Sequence, residues 1–472
     1  MDTVKKKYAV ATGISRPYLA MFALFLLYST VSQYPLLVII GGAIFSVIAK
    51  TFLQDVFLPV IFYCFGYQWL QVFTIILYAD TRGQSLTYTY GIEHPGFLLV
   101  MTMLQVMMMA LVVKTFLVKV NFTRETFVNA SKKIDDKKVI YAYLGCVVAF
   151  PVLFSVVGGS ASLAQLVEAL SLLKKVVVVI LIFLLFIKDS KYKTWIITIL
   201  LLEFILGFVT YFSSFKDVIL YTALVSVSVH AKLKKGLFKK LLPLIIFMVG
   251  LISFWSYVKY DYRNFLNGGN RHQQVLVSKD DALNFLWERL KSFDGSGFNT
   301  GIQITLSRIQ YMEEYLLVYQ RVPAIIPHAN GGDVLSALDF LFTPRSWNEN
   351  KKRLDPSEKT NFYTGIHHAD AAQGTSISMG YFCDLYIDFG TFGMLIPLII
   401  IALIIVAICN HILKSKQYNV LFSYSLLIAL IMSLGTFESD IIFYLGSIRN
   451  YIIVLLLGNW IIFPKLNKYI RA

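Results

Sequence analysis

LLKKVVVVILIFLLFI, residues 172–187, is followed directly by Lys188, Lys191 and Lys193. After its first turn the run is apolar all round, with no face left for water. The cations that close it sit where a chain leaves a bilayer on its cytoplasmic side. Runs of the same kind recur along the chain and place spans near 17–32, 34–50, 57–79, 96–118, 139–158, 172–187, 194–212, 217–231, 241–258, 386–409, 419–436 and 444–463. The first two are short and close, so they read as a hairpin or as one kinked element. The run after Lys5, Lys6 and Lys7 lacks a small-residue cleavage site and reads as an uncleaved first helix. Composition agrees: hydrophobic residues make up 57% of the 472 positions and charged residues 15%, with mean hydropathy +0.65. A soluble chain of this length needs more charge to cover its surface.

The net charge of +15 suggests nucleic acid only until its distribution is considered. Residues 259–385 hold 13 Lys and Arg against 14 Asp and Glu, so the remainder carries an excess of 16 positive charges. That excess lies in short connectors: Lys5–Lys7 and Arg16; Lys119, Arg124, Lys132, Lys133, Lys137 and Lys138; Lys188, Lys191 and Lys193; Lys232, Lys234, Lys235, Lys239 and Lys240; Lys414 and Lys416; Lys465, Lys468 and Arg471. With twelve spans all of these fall on one side. The positive-inside rule puts that side, and both termini, in the cytoplasm. The basic balance therefore signals topology, and no nucleic-acid partner is expected.

The expected architecture is an all-α, polytopic transmembrane bundle of about twelve spans with one large extracytoplasmic, α-rich loop. It divides into an N-terminal bundle (1–258), the loop subdomain (259–385) and C-terminal transmembrane helices (386–472). Within the loop one helix is expected over 278–292. A second is expected over 301–320, where Ile304, Ile309, Met312, Leu316 and Leu317 form an apolar stripe. Cys64, Cys146, Cys383 and Cys409 form no CxxC pair, so neither a metal knuckle nor a disulfide framework is expected. The chain has no P-loop, HExxH or GxSxG pattern, which removes a transport ATPase and the common hydrolases.

Polar groups in costly places carry the functional reading. Lys216 stands in Ser213-Ser214-Phe215-Lys216-Asp217 between the seventh and eighth spans, either paired with Asp217 or facing a phosphate group. Glu203, deeper in the seventh span, is a site residue or an interhelical bond. In the loop, Arg308, Tyr311 and Tyr315 share a face of the helix that Arg321 ends. Pro344-Arg345-Ser346-Trp347, Lys351-Lys352-Arg353 and the turn containing Thr375 and Ser376 follow, before Asp388-Phe389-Gly390 enters the tenth span. Arginine forks and hydroxyls suit pyrophosphate oxygens, and aromatic faces suit sugar rings. Glu313, Glu314, His328, His367, His368, Asp333 and Asp370 are possible proton acceptors. The two adjacent histidines do not make a metal site.

Many spans, one large outer loop in the C-terminal half and a few spans after it resemble the Wzy-type O-antigen and capsular polysaccharide polymerases and their O-antigen ligase relatives. The step at Ser213–Asp217 resembles a basic motif of those proteins, with Lys216 where arginine is usual. Ser307-Arg308, Pro344-Arg345 with Lys351, and Thr375-Ser376 before Asp388-Phe389-Gly390 extend the likeness over roughly residues 210–395. The resemblance implies a GT-C-like glycosyltransferase of the bacterial cytoplasmic (inner) membrane that needs no cofactor. Its donor and acceptor would be undecaprenyl-pyrophosphate-linked glycans, with a chain-length regulator as a further partner. Lys216, Arg308 and Arg345 would face the pyrophosphate; Tyr311, Arg321, Lys351, Thr375, Ser376 and Asp388 would bind substrate. Glu313, His367 or His368 would act as base. A ligase with the same chemistry, or a lipid-linked oligosaccharide flippase, is the alternative.

Overall fold

The computed structural model describes residues 16–92, 94–120, 122–157, 161–209, 215–230, 235–269, 275–343, 355–367, 376–435 and 437–471. The described residues are helical throughout, and their only β contact is an isolated bridge between Ile134 and Arg471. The N-terminal part runs α1 (Arg16–Ser29), α2 (Pro35–Lys50), α3 (Pro59–Arg82), α4 (Leu86–Tyr90), α5 (Pro95–Phe116), α6 (Arg124–Ser131), α7 (Asp136–Val157), α8 (Ala161–Leu170), α9 (Leu172–Ile187), α10 (Lys193–Val209), α11 (Phe215–His230) and α12 (Lys235–Leu266). The middle part holds α13 (Lys279–Lys291), α14 (Gly295–Ile309), α15 (Glu313–Arg321), α16 (Gly332–Phe342) and α17 (Pro356–Thr364). The chain closes with α18 (Tyr381–Gly393), α19 (Leu395–Lys414), α20 (Val420–Leu434), α21 (Ile441–Leu457) and α22 (Phe463–Tyr469).

Among the described residues, seven helical stretches are long and apolar enough to cross a membrane: Pro35–Asp55, Pro59–Arg82, Pro95–Phe116, Asp136–Val157, Leu163–Ile187, Leu395–Lys414 and Ile441–Tyr469. Two shorter apolar helices, Tyr18–Ser29 and Val420–Leu434, stand among them. α1 and α2 pack as a hairpin. α7 shows what surrounds the bundle, because it leaves Tyr141, Leu144, Val148, Val152 and Val156 exposed along its length. An apolar helix face of that extent is stable against lipid tails and costly against water.

Among the described residues, the connectors before α7, after α9 and before α20 meet the C-terminal segment at one end. Lys188 pairs with Asp136 at 2.6 Å, Lys138 donates to the Arg471 carbonyl at 2.7 Å, and Asn419 donates to Ala130 O at 2.9 Å. Lys114 pairs with Asp55 at 2.6 Å. Glu203 in α10 is an interhelical partner: it pairs with Lys174 at 2.7 Å and accepts the Tyr143 hydroxyl.

Two sequence expectations need correction. The helix expected over 301–320 is two helices, because the chain breaks between Ile309 and Glu313 and the Tyr311 amide donates to Gln71 O of α3 at 3.1 Å. The helix expected to enter the membrane at 386 instead begins at Leu395. Residues 381–388 form a buried helix that is interrupted at Gly390, whose φ of 68° and ψ of 178° break the turn. Only glycine adopts that conformation readily.

α14 does not float in solvent. It lies along α12 and against α3, and its closest approach is at Gly301, where a Cβ would stand 2.2 Å from Ser253 O. Ser253 Oγ donates to Phe298 O at 2.7 Å, and Thr305 Oγ1 donates to Ser256 Oγ at 2.9 Å. Small residues at a crossing let two backbones meet, and hydroxyls then tie them. Gly301→Ala is expected to lower the melting temperature in detergent, since overpacking costs about 1–3 kcal/mol. An unchanged melting curve would show that the two helices are not held at this crossing.

Candidate anion site

α12 runs past its apolar stretch, and its last turns carry two different faces. Val258, Tyr262 and Leu266 pack with Phe254, Trp255, Phe215, Ala282 and Leu286 into a separate aromatic cluster linking α11, α12 and α13. Lys259 and Arg263, one turn apart, share the neighbouring face. That cluster also holds Phe215 and so fixes Lys216, in the first turn of α11, nearby. Arg308 arrives from the last turn of α14, positioned by the Gly301–Ser253 crossing.

Four cations thus act on one another: Lys259 feels Arg308, Arg263 and Lys216. Burial and then these neighbours push the Lys259 ammonium down to about 7, while Glu438 pulls the other way. Burial and Arg263 likewise lower Arg308, again opposed by Glu438. Lys216 also stands at a helix N-terminus, where positive charge opposes the macrodipole. Among the described residues Lys216, Lys259 and Arg308 make no hydrogen bond or ion pair; Asp217 turns to Lys175 at 3.9 Å. Like charges gathered around a single opposing carboxylate, Glu438, repel one another, and the arrangement becomes more favourable when an anion enters.

Glu438 lies in the connector between α20 and α21. Its Oε1 accepts from Gln71 Nε2 at 2.8 Å and from the Tyr67 hydroxyl at 3.3 Å. Gln71 Oε1 accepts the Phe437 amide at 3.1 Å, so one side chain of α3 holds both residues of the connector. Tyr67 stacks on Tyr63 at 5.7 Å, one turn earlier on the same face of α3. Gln71 stands eleven residues before Arg82, so the site is set about 16 Å along α3 from that helix end at about 1.5 Å per residue.

Tyr311 borders this group of side chains. Its hydroxyl donates to Ser378 O, and its ring meets the edge of Phe437 at 6.4 Å. Glu314 follows at the start of α15, where burial and then Glu313 raise its carboxyl to about 7. The Glu313 carboxylate accepts from Gln310 Nε2 at 3.1 Å.

Next to this group lies an ionic knot. Lys359 of α17 bridges Asp333 of α16 at 2.7 Å and Asp384 of α18 at 2.6 Å. Asp384 also accepts the Ile441 amide at 2.7 Å, tying in the start of α21. Asp440 accepts from the Ser378 hydroxyl and from the Met379 amide at 3.2 Å. Burial and the neighbouring Asp384 raise the Asp440 carboxyl to about 7. The knot fixes the connector that carries Glu438.

The structure brings together Lys216, Arg308 and Tyr311 of the sequence-derived set. It adds Lys259, Arg263, Glu438, Tyr67 and Gln71. The other members lie elsewhere. Asp388 is buried and accepts the amides of Asp333 at 3.0 Å and Val334 at 2.8 Å, which anchors the N-terminus of α16. Arg321 packs against the Gly365 backbone after α17. His367 and Ser376 are exposed on either side of residues 368–375. His328 bonds Ile387 O at 3.1 Å beside Gly390. Arg345, Lys351, His368, Asp370 and Thr375 lie outside the described residues. No group of His, Cys, Asp and Glu among the described residues forms a metal site. The signal for Glu438 was a pair of acids, Glu438 and Asp440, between the last two apolar runs.

The Lys259 shift has a measurable sign. Above pH 7 the unliganded folded protein holds this side chain largely neutral, whereas the unfolded chain keeps it protonated up to the ordinary lysine range. Stability without an anion therefore rises as pH climbs through 7. A bound anion favours the charged form, so affinity for inorganic pyrophosphate should fall as pH rises from about 6 to about 8. In Lys259→Arg the charge persists and this component vanishes. Isothermal titration of both proteins isolates it from the ligand's own protonation. Parallel pH dependences would place Lys259 outside the anion's reach.

No protein-family model matches the chain, and no curated protein or solved structure matches it.

Proposed function

We propose that the protein is a membrane glycosyltransferase that polymerises undecaprenyl-pyrophosphate-linked repeat units into O-antigen or capsular polysaccharide. It works at the outer face of the bacterial cytoplasmic membrane. The observation that carries this reading is the group of Lys216, Lys259, Arg263 and Arg308, close enough for their charges to act on one another and on Glu438. In this reaction a hydroxyl of the acceptor repeat attacks the anomeric carbon of the donor, and the lipid pyrophosphate leaves. Negative charge grows on the leaving oxygens, and fixed cations lower the barrier to that change. The tethering of both substrates to one membrane supplies proximity.

In this reading the chain crosses the membrane twelve times with both termini in the cytoplasm. The meeting of the connectors before α7, after α9 and before α20 at one end supports that count. The cation group then lies at the opposite end, where a lipid-linked glycan arrives after translocation. The architecture is GT-C-like in having a polar, helix-rich loop folded over one end of a transmembrane bundle.

Gel analysis of surface glycan from cells with and without the gene tests the reading. Deletion should collapse a ladder of repeats to a single capped repeat. A ladder that persists on the carrier lipid but is not passed on would identify a ligase, and repeats retained on the cytoplasmic side would identify a transporter.

A further inference from the structure

We infer that Glu438 is the proton acceptor of this site, taking the proton from the attacking hydroxyl of a glycan acceptor. The inference rests on the glycosyl-transfer reading and adds the residue that reading leaves open. Glu438 is held through one oxygen only: Oε1 takes the bonds from Gln71 and Tyr67. Oε2 has no partner among the described residues. The carboxylate acts electrostatically on Lys259 and Arg308, yet it forms an ion pair with neither. Gln71 ties the two sides together, because its side chain holds Glu438 and its carbonyl accepts the Tyr311 amide just past Arg308. The two sides have opposite chemistry, cations for a leaving phosphate and an open oxygen for a hydroxyl.

Burial raises the Glu314 carboxyl to about 7, so it is a poorer acceptor than an ionised group, and three other acids nearby are engaged. Glu313 accepts from Gln310, Asp440 from Ser378 and Met379, and Asp217 pairs with Lys175. His367 is exposed beyond α17. Gln71 and Tyr67 act as positioning residues, since both donate to the same oxygen and turn the other outward.

The step balances as follows. The acceptor O–H bond breaks and its proton passes to Glu438 Oε2. The freed oxygen pair forms the new bond to the anomeric carbon. The bond from that carbon to the phosphate oxygen breaks, and its electron pair leaves with the lipid pyrophosphate beside Lys259 and Arg308. Glu438 then returns its proton to solvent.

Glu438→Gln separates this role from a structural one, because the amide oxygen still accepts from Gln71 and Tyr67 while the group no longer takes up a proton. Membrane vesicles from the native cell, with their own lipid-linked glycans as donor and acceptor, provide the assay. Glu438→Gln should slow elongation by about 10²–10⁴-fold. The purified variant should bind inorganic pyrophosphate as tightly as the wild type or more tightly, since an anion has been removed from the site. Formate should restore part of the activity of Glu438→Ala. Elongation at the wild-type rate in Glu438→Gln overturns the inference, as does a loss of pyrophosphate affinity equal to the loss of rate. Wild-type vesicles that elongate nothing overturn the glycosyl-transfer reading itself, and this inference with it.

Discussion

Arg308→Ala should reduce glycan elongation by about 10²–10³-fold, the usual effect of removing one donor aimed at developing negative charge. The same substitution should leave the protein as stable as before or more stable. Arg308 makes no hydrogen bond or ion pair among the described residues, and it sits beside Arg263 and Lys259, which it repels. Removing it relieves like-charge repulsion, so the Lys259 ammonium should move back toward the ordinary lysine range. A residue that opposes folding and supports activity is the expected signature of a functional group. Arg308→Lys should recover only part of the rate, since a point charge replaces a planar fork. Elongation assays and melting curves on the same preparations check both halves. Loss of rate together with loss of stability would instead make Arg308 a structural residue.

The second large effect is on the fold. Lys359→Met should destabilise the protein by about 3 kcal/mol or more, because it strips the counterion from Asp384, which is fully buried. Burial works against charge on Lys359, but Asp384 and Asp333 together hold its ammonium well above the ordinary lysine range. Without it, two carboxylates face each other across α16 and α18, and the α20–α21 connector loses its anchor. Lys359→Met with Asp384→Asn should recover much of the loss, since the asparagine carbonyl still accepts the Ile441 amide and the one carboxylate left without its counterion, Asp333, is partly exposed. Denaturation of the single and double variants in detergent measures the coupling. A loss in the double variant equal to the sum of the two single losses would show that the two side chains act independently.

Some of this arrangement is legible in the sequence, for particular reasons. Lys216 and Arg308 stand out because a cation beside an apolar run or on a loop helix has a cost that demands a partner. The run 172–187 reads as a helix because its length and hydropathy leave no other stable form in a bilayer, and α9 has those same ends. Other features have no local signature. Tyr67 and Glu438 lie 371 residues apart and meet only when α20 and α21 close against α3. Lys259 reads as an ordinary charge at the start of a polar loop, because the three cations that lower it come from other turns or other helices. Asp388 looks the same in sequence whether it binds a sugar or anchors a helix; the amides of Asp333 and Val334 decide its placement here. The breaks at 310–312 and at Gly390 fall inside apolar patterns that continue on both sides, so periodicity runs straight through them.

Reconstitution of the purified protein in liposomes with one lipid-pyrophosphate-linked repeat unit tests the central claim most directly. With no nucleotide and no metal added, the account predicts longer glycans and one free lipid pyrophosphate released for each new bond. Repeats that stay single, with no lipid pyrophosphate released, would contradict it.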